Sequence, residues 1–471
     1  MQQIFFKPDY GWPADAIPYY ANGEFHIFYL LDYRDPVRYG EGTPWFKVTT
    51  KDFVHFKDHG EMLPRGTDKE YDMYVFTGSV LKDKAGKYHI WYTGHNTKMV
   101  PGYIQVVMHA VSDDLEHFVK VPEDTFGNLT EEYESADWRD PFVWYDEKAD
   151  EYKMLLSARK KASPKNRRGE TILLTSKDNK KWKVQGASFA PELYYAHECP
   201  DFFRMGDRYY QVFSEFSHYN ITRYVMSQSP DGPWIQPADD RFDGRAFYAA
   251  KTVSDGKDRY VIGWNPTKEG CVDKGYWQWG GALEAHKVRQ RPDGTLACAC
   301  PDGVKNAFTE EIPVAFADRD GNVPESMAFS TGVKAEVLYG DKPQSGVYCV
   351  EMDFSYKKGT NRVGVLLNAD KENDVSYGYF VEPETGKLVF EMFPDFPQYK
   401  LNAICVERPI ENMPDKKHHL RVIVDGTACV CYLDDEYALS SRMYDYTSGV
   451  VGLMIQGSAE VSSVKIKKMK G

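Results

Sequence analysis

Three acidic positions carry the chemistry that this sequence can do. Asp15 stands in Trp12-Pro13-Ala14-Asp15, Asp140 in Arg139-Asp140-Pro141, and Glu198 in Glu198-Cys199-Pro200-Asp201. Carboxylates crowded at a dry pocket mouth repel one another and cannot all stay ionised cheaply. Separate environments leave one protonated and the others charged. Glycoside cleavage uses that division: one acid protonates the leaving oxygen, and one carboxylate attacks the anomeric carbon or activates water. Magnesium or calcium would also suit three carboxylates. No dense Asp-x-Asp run lies nearby, so neither a metal nor a cofactor is expected. The tripeptide Arg-Asp-Pro also occurs at Arg34-Asp35-Pro36, and only the surrounding elements can say which aspartate meets the other acids.

Those elements repeat. Five segments run from a turn residue through an aromatic into an apolar stretch, with aligned aromatics Phe25, Tyr88, Tyr152, Tyr209 and Tyr260. Their spacings are 63, 64, 57 and 51 residues. Each follows a shorter apolar strand across a turn. Four units add a later polar-aromatic signature, "TKDFVHF", "SDDLEHF", "SKDNKKW" and "SQSPDGPW". Repeated antiparallel units of this length predict a five-bladed β-propeller over residues 1–304. In a propeller the first strand of each blade lies nearest the axis. Asp15, Asp140 and Glu198 fall 10, 12 and 11 residues before their aligned aromatics, at the start of that strand. The second and fifth units hold Thr77-Gly78 and Tyr248-Ala249 there. Asp35 comes after the second strand and reads as a turn residue or surface ion pair.

Composition narrows the class. Apolar residues make up 42% and charged residues 27% of 471, an ordinary globular balance with ample core. A net charge of −12 and one short basic run, "KKASPKNRR", argue against a nucleic-acid partner. No stretch of 18 apolar residues exists, so no membrane span is expected. The N-terminal stretch lacks the pattern of a signal peptide, and the eight cysteines form no C-x-x-C pair. The expectation is free, mostly buried thiols in a cytoplasmic protein. Oligomeric state is not legible.

The order Trp-x-x-Asp, Arg-Asp-Pro, Glu-Cys-Pro-Asp resembles glycoside hydrolase family 32, the invertase, inulinase and levanase group. "FTGSVL", "HFVK" and "WGGALEAHKVRQRPDGTL" add smaller likenesses, and "HHLRVIVDGTACVCYLDDEYALSSRMY" looks like the family's C-terminal sandwich. The resemblance implies a nucleophile at Asp15, a general acid and base at Glu198, and a transition-state stabiliser at Asp140 that grips sugar hydroxyls. Arg139 would hold Asp140 and Glu198. It also implies a retaining attack on β-fructofuranosides, with a small fructoside or fructo-oligosaccharide as partner. Two alternatives accompany it: an inverting arabinofuranosidase or arabinanase of the same clan, and a noncatalytic sugar-binding protein. The first motif departs from the family's Trp-Met-Asn-Asp-Pro-Asn-Gly, since Ala14 and Ile17 replace both asparagines. The next strand ends Phe28-Tyr29-Leu30 where the family has Phe-Tyr-Gln. Candidates for the pocket rim are Trp12, Trp45, Phe76, Thr77, Trp138, His197 and Trp277, beside Arg139.

From about residue 311 the strands alternate apolar and polar, with hairpin signals at Thr385-Gly386 and Asp425-Gly426. No acids converge there. A β-sandwich over residues 311–471 is expected, packed on the propeller as a brace.

Overall fold

The computed structural model describes residues 3–395 and 406–470. The chain is almost wholly β, and its first 300 residues form five successive antiparallel sheets. Their first strands are Trp12–Ala21, Tyr74–Lys82, Tyr133–Asp146, Glu198–Met205 and Tyr248–Ser254. Each of these touches the first strand of the next sheet, and the fifth returns to the first, so they line a common axis. Four sheets have four strands in sequential order; the fourth has three, with single bridges Met226–Ile235 and Arg223–Arg241 at its edge. The N-terminal segment ties the circuit shut: Gln3 N–H donates to Val54 in the first sheet, and Phe6 pairs with Leu283 in the fifth.

The sequence repeat has a local cause. Asn22 and Gly23, both at positive φ, make the tight hairpin that pairs Ala21 with Glu24. The "SKD" and "SDD" signatures are polar turns between third and fourth strands. The Asp52 carboxylate accepts from Val54 and His55 N–H, Asp114 from Glu116 and His117, and Asp178 from Lys180 and Lys181. Phe53, Leu115 and Asn179 take the left-handed conformation in these turns.

After the helix Asp302–Ala307 the chain enters two packed sheets. One contains Val347–Tyr356, Lys417–Asp425 and Ser458–Met469; the other contains Arg362–Asp370, Val375–Glu382 and Val450–Gln456. Their facing side chains form one apolar core, including Val350, Val365, Leu388, Val422 and Leu453. The sandwich docks on the propeller through buried arginines. Arg442 donates to the Asn265 and Pro266 carbonyls at 2.9 Å, and Arg408 to the Phe242 carbonyl at 2.9 Å and Asp239 at 2.7 Å. Seven cysteines are free thiols, all buried but Cys271; Cys405 lies outside the described residues. Among the described residues no helix is long and apolar enough to cross a membrane.

Candidate active site

All five axial strands break register at the same height. The irregularity falls at residues 14–15, 77, 140–141, 199–200 and 249–250. An extra residue in one strand twists the chain and re-aims side chains. Asp140, Cys199 and Ala249 sit there at φ 63°, 51° and 50°. Aspartate tolerates the left-handed region, whereas cysteine and alanine have no local hydrogen bond to offset a cost of about 1–2 kcal/mol each. In the third and fourth sheets the distortion has a visible product. It turns the Cys199 N–H toward Asp140 Oδ2 at 2.9 Å, and the Asp140 N–H toward Thr93 Oγ1 at 2.7 Å.

The result is a pocket of about 580 Å³ at the end of the axis, lined by Asp15, Asp140 and Glu198 from three different sheets. Asp15 is held by neutral donors alone: Thr77 Oγ1 and Cys199 Sγ (3.6 Å) reach Oδ2, and Trp264 Nε1 reaches Oδ1 at 3.0 Å. Arg139 binds Asp137 at 2.6 Å and Glu198 Oε1 at 3.3 Å, and its Nε lies 3.9 Å from Asp140. The Tyr248 hydroxyl donates to Glu198 Oε2 at 2.7 Å. The Glu198 side chain is 25% exposed and the Asp140 side chain 5%. Glu198 therefore meets solvent and can exchange a proton, while Asp140 lies on the floor.

Burial pushes all three carboxyls above their usual range. For Glu198, Arg139 opposes the rise and the Asp140 charge adds to it. For Asp15, the Thr77 hydrogen bond opposes burial and the Glu198 charge reinforces it. Two raised neighbours cannot be neutral for the same reason at once: a proton on Glu198 removes the charge that raises Asp15. One shared proton relieves the repulsion: burial and the Asp140 charge favour it on Glu198, the Tyr248 hydroxyl and Arg139 oppose it, and solvent contact gives it a way in and out.

Around Asp15, Ala14, Ile17 and Leu30 are fully buried with Phe28, Trp45, Tyr92 and Cys199 in one apolar cluster. The positions where the family resemblance would place amides are thus packing positions here.

The rim candidates separate. Phe76 is on the pocket wall, stacked on His95, and Thr77 lies beneath it against Asp15. Trp277 borders a side arm that opens past Glu198 and Tyr248 and includes Arg245, Gln278 and Trp279. Trp45 is sealed in the core, its indole N–H spent on the Phe76 carbonyl. Trp138 is sealed in the core of the third sheet. His197 is fully buried, stacked 4.4 Å from Phe213, and burial drops its imidazole to about 3; as a neutral ring away from the wall it carries no charge to tune Glu198. Trp12 lies under the Arg34 guanidinium, 4.4 Å from its ring, and is off the pocket wall. Asp35 caps the short helix Pro36–Tyr39, accepting from Arg38 N–H. Its neighbour Arg34 reaches the fifth sheet at Thr267 and Gln278 and the Trp279 carbonyl.

Several wall residues escape the sequence reading: Tyr195, Phe216, Tyr74, Gln105 and Trp279. Tyr248 carried a signal, because it occupies in the fifth sheet the place just before the bulge that Arg139 and Glu198 take in theirs.

The profile of the glycosyl hydrolases family 32 N-terminal domain matches residues 5–285. This chain belongs to that family. It is 29% identical to sucrose-6-phosphate hydrolase of Vibrio alginolyticus over 63% of its own length and 62% of the relative's. It is 27% identical to sucrose-6-phosphate hydrolase of Escherichia coli over 93% of this chain and 88% of that protein. The structure of fructan 1-exohydrolase IIa from Cichorium intybus superposes with a TM-score of 0.79 at 16% identity, covering 100% of this chain and 97% of that one, a likeness of fold: propeller and sandwich.

Proposed function

We propose that this protein is a β-fructofuranosidase-type glycoside hydrolase acting by double displacement on small fructosides or fructo-oligosaccharides. The observation that carries the reading is the meeting of Asp15, Asp140 and Glu198 on one sugar-sized pocket, with Arg139 between Glu198 and Asp140. Glu198 gives its proton to the leaving oxygen as Asp15 attacks the anomeric carbon and forms a fructosyl ester. Glu198, now a carboxylate, takes a proton from water, which opens the ester. Asp140 binds ring hydroxyls from the floor, and its charge is strongest where positive charge develops on the sugar. The side arm at Arg245, Trp277 and Trp279 receives the rest of the substrate. The match to family 32 favours this reading over the arabinan-type alternative.

Sugar release from sucrose, sucrose 6-phosphate, levan and inulin tests it, with D15N and E198Q as controls. The reading expects release by the wild type alone and β-fructofuranose as the first anomer in NMR. An α anomer first, or equal release by E198Q, would reject it.

A further inference from the structure

Beneath the carboxylates the channel is crossed by a lysine that the reaction above does not use. Lys251, the residue after the bulge of the fifth sheet, is 2% exposed. Its Nζ donates to the Gly78 carbonyl of the second sheet at 2.8 Å and lies 5.5 Å from the Phe142 ring of the third. A side chain from one sheet thus reaches two others across the axis. Gly78 adjoins Thr77, the donor to Asp15, and Phe142 follows Asp140 by two residues.

Resting on the glycosidase reading, we propose that Lys251 is a positioning residue of the reaction: a strut whose ammonium under the pocket floor lets Asp15 and Asp140 be ionised together. An ammonium has three donors, and one is satisfied by Gly78. Burial lowers its pKa, and the groups that oppose the fall are Cys199 and Asp201 from the fourth sheet, Asp140 from the third and Asp15 from the first. Asp201 has other support, from the Phe202 and Thr252 N–H groups at 2.7 Å and from the Arg259 charge. Asp140 has Arg139. Among the described residues no ion pair reaches Asp15. With Glu198 protonated, the pocket-lining Asp15 and the buried Asp140 and Asp201 carry the negative charge at the floor. Lys251, Arg139 and, beside Asp201, Arg259 are the cations at the floor, and Arg139 also serves Asp137 and Glu198. Removing Lys251 leaves Asp15 with dipoles only, and a buried carboxylate without nearby positive charge takes up a proton.

The test is the pH profile of kcat/KM for K251M, K251Q and K251R. Loss of the cation raises the pKa of the carboxyls that face it, Asp15 among them, so the acidic limb moves to higher pH by about one unit. At the wild-type acidic limb, activity falls about tenfold, and K251R restores the profile. Folded K251M and K251Q with an acidic limb superimposed on the wild type would overturn the proposal. A denaturation cycle with D15N at neutral pH reads the same coupling without substrate, so it stands apart from the glycosidase reading. K251M should cost less stability in the D15N background than in the wild type. Equal cost, or insolubility in both backgrounds, would overturn it, since packing rather than charge would then explain the lysine.

Discussion

The axial face of the five sheets and the interior of the sandwich use the same antiparallel ladders to opposite ends. Between the two sheets of the sandwich the core is apolar, and among the described residues its non-glycine positions at positive φ are Asn368, Asp374, Asp415, Asp434 and Asp435, the types that suit turns. On the axis, the left-handed positions hold Cys199 and Ala249 as well as Asp140, every strand is bulged at one height, and carboxyls, an arginine and a lysine are buried together. One region follows local preference in its core and turns. The other violates it repeatedly within a few ångströms of the pocket. Strain and buried charge persist where the surrounding structure holds them, and here they collect at the site.

The comparison breaks first, and hardest, at the acids. D15N and E198Q keep the shape of each side chain and remove its chemistry, so turnover of a fructoside should fall by about 10³-fold or more, with circular dichroism unchanged. In contrast, Leu453→Ala deletes a fully buried side chain of the sandwich core. It should cost about 2–5 kcal/mol of stability in urea denaturation and leave kcat per folded molecule unaltered. A loss of kcat comparable to that of E198Q would mean that the sandwich contributes to catalysis and is no simple brace.

The third test turns the contrast into a sign. The raised carboxyl of Asp15 makes the folded state bind a proton more readily than the unfolded chain. That contribution favours folding fully below the ordinary aspartate pKa and is lost as pH rises through the raised value. At neutral pH Asp15 is therefore a burden, so D15N should raise the melting temperature at pH 7 and lose the advantage as pH falls toward 4. Leu453→Ala lowers it at every pH. A D15N protein less stable than the wild type at pH 7 would show that its donors and Lys251 more than compensate its burial.

The sequence reading and the structure agree where information is local and repeated. Turn residues, aromatic spacing and the "SKD" signatures each specify a hairpin by themselves, and the repeat places Asp15, Asp140 and Glu198 at strand starts that face one axis. Side-chain direction was not legible. Trp138 stands two residues before Asp140, so a regular strand would aim both at the same side. The bulge starts at Asp140 itself, whose left-handed backbone breaks the alternation, so Asp140 faces the pocket while Trp138 lies in the core. Proximity to an acid misleads at His197 in the same way. Trp45, a rim candidate from sequence, is consumed by packing and one hydrogen bond to Phe76.

The smallest effect probes the wall that sequence missed. Trp279 is 38% exposed at the junction of pocket and side arm, and its backbone carbonyl is gripped by Arg34 at 2.6 Å. That grip fixes the backbone while leaving one ring face free to pack on a sugar. Trp279→Ala keeps the carbonyl and the Arg34 contact, so only the ring is lost. The cost should be about 1 kcal/mol of binding, a roughly fivefold rise in KM with kcat nearly constant. The rise should be larger for an oligomer that fills the arm than for a short fructoside. An equal effect on kcat and kcat/KM would instead place the indole against the reacting sugar, and the boundary between the pocket and its arm would have to be redrawn one residue closer to Glu198.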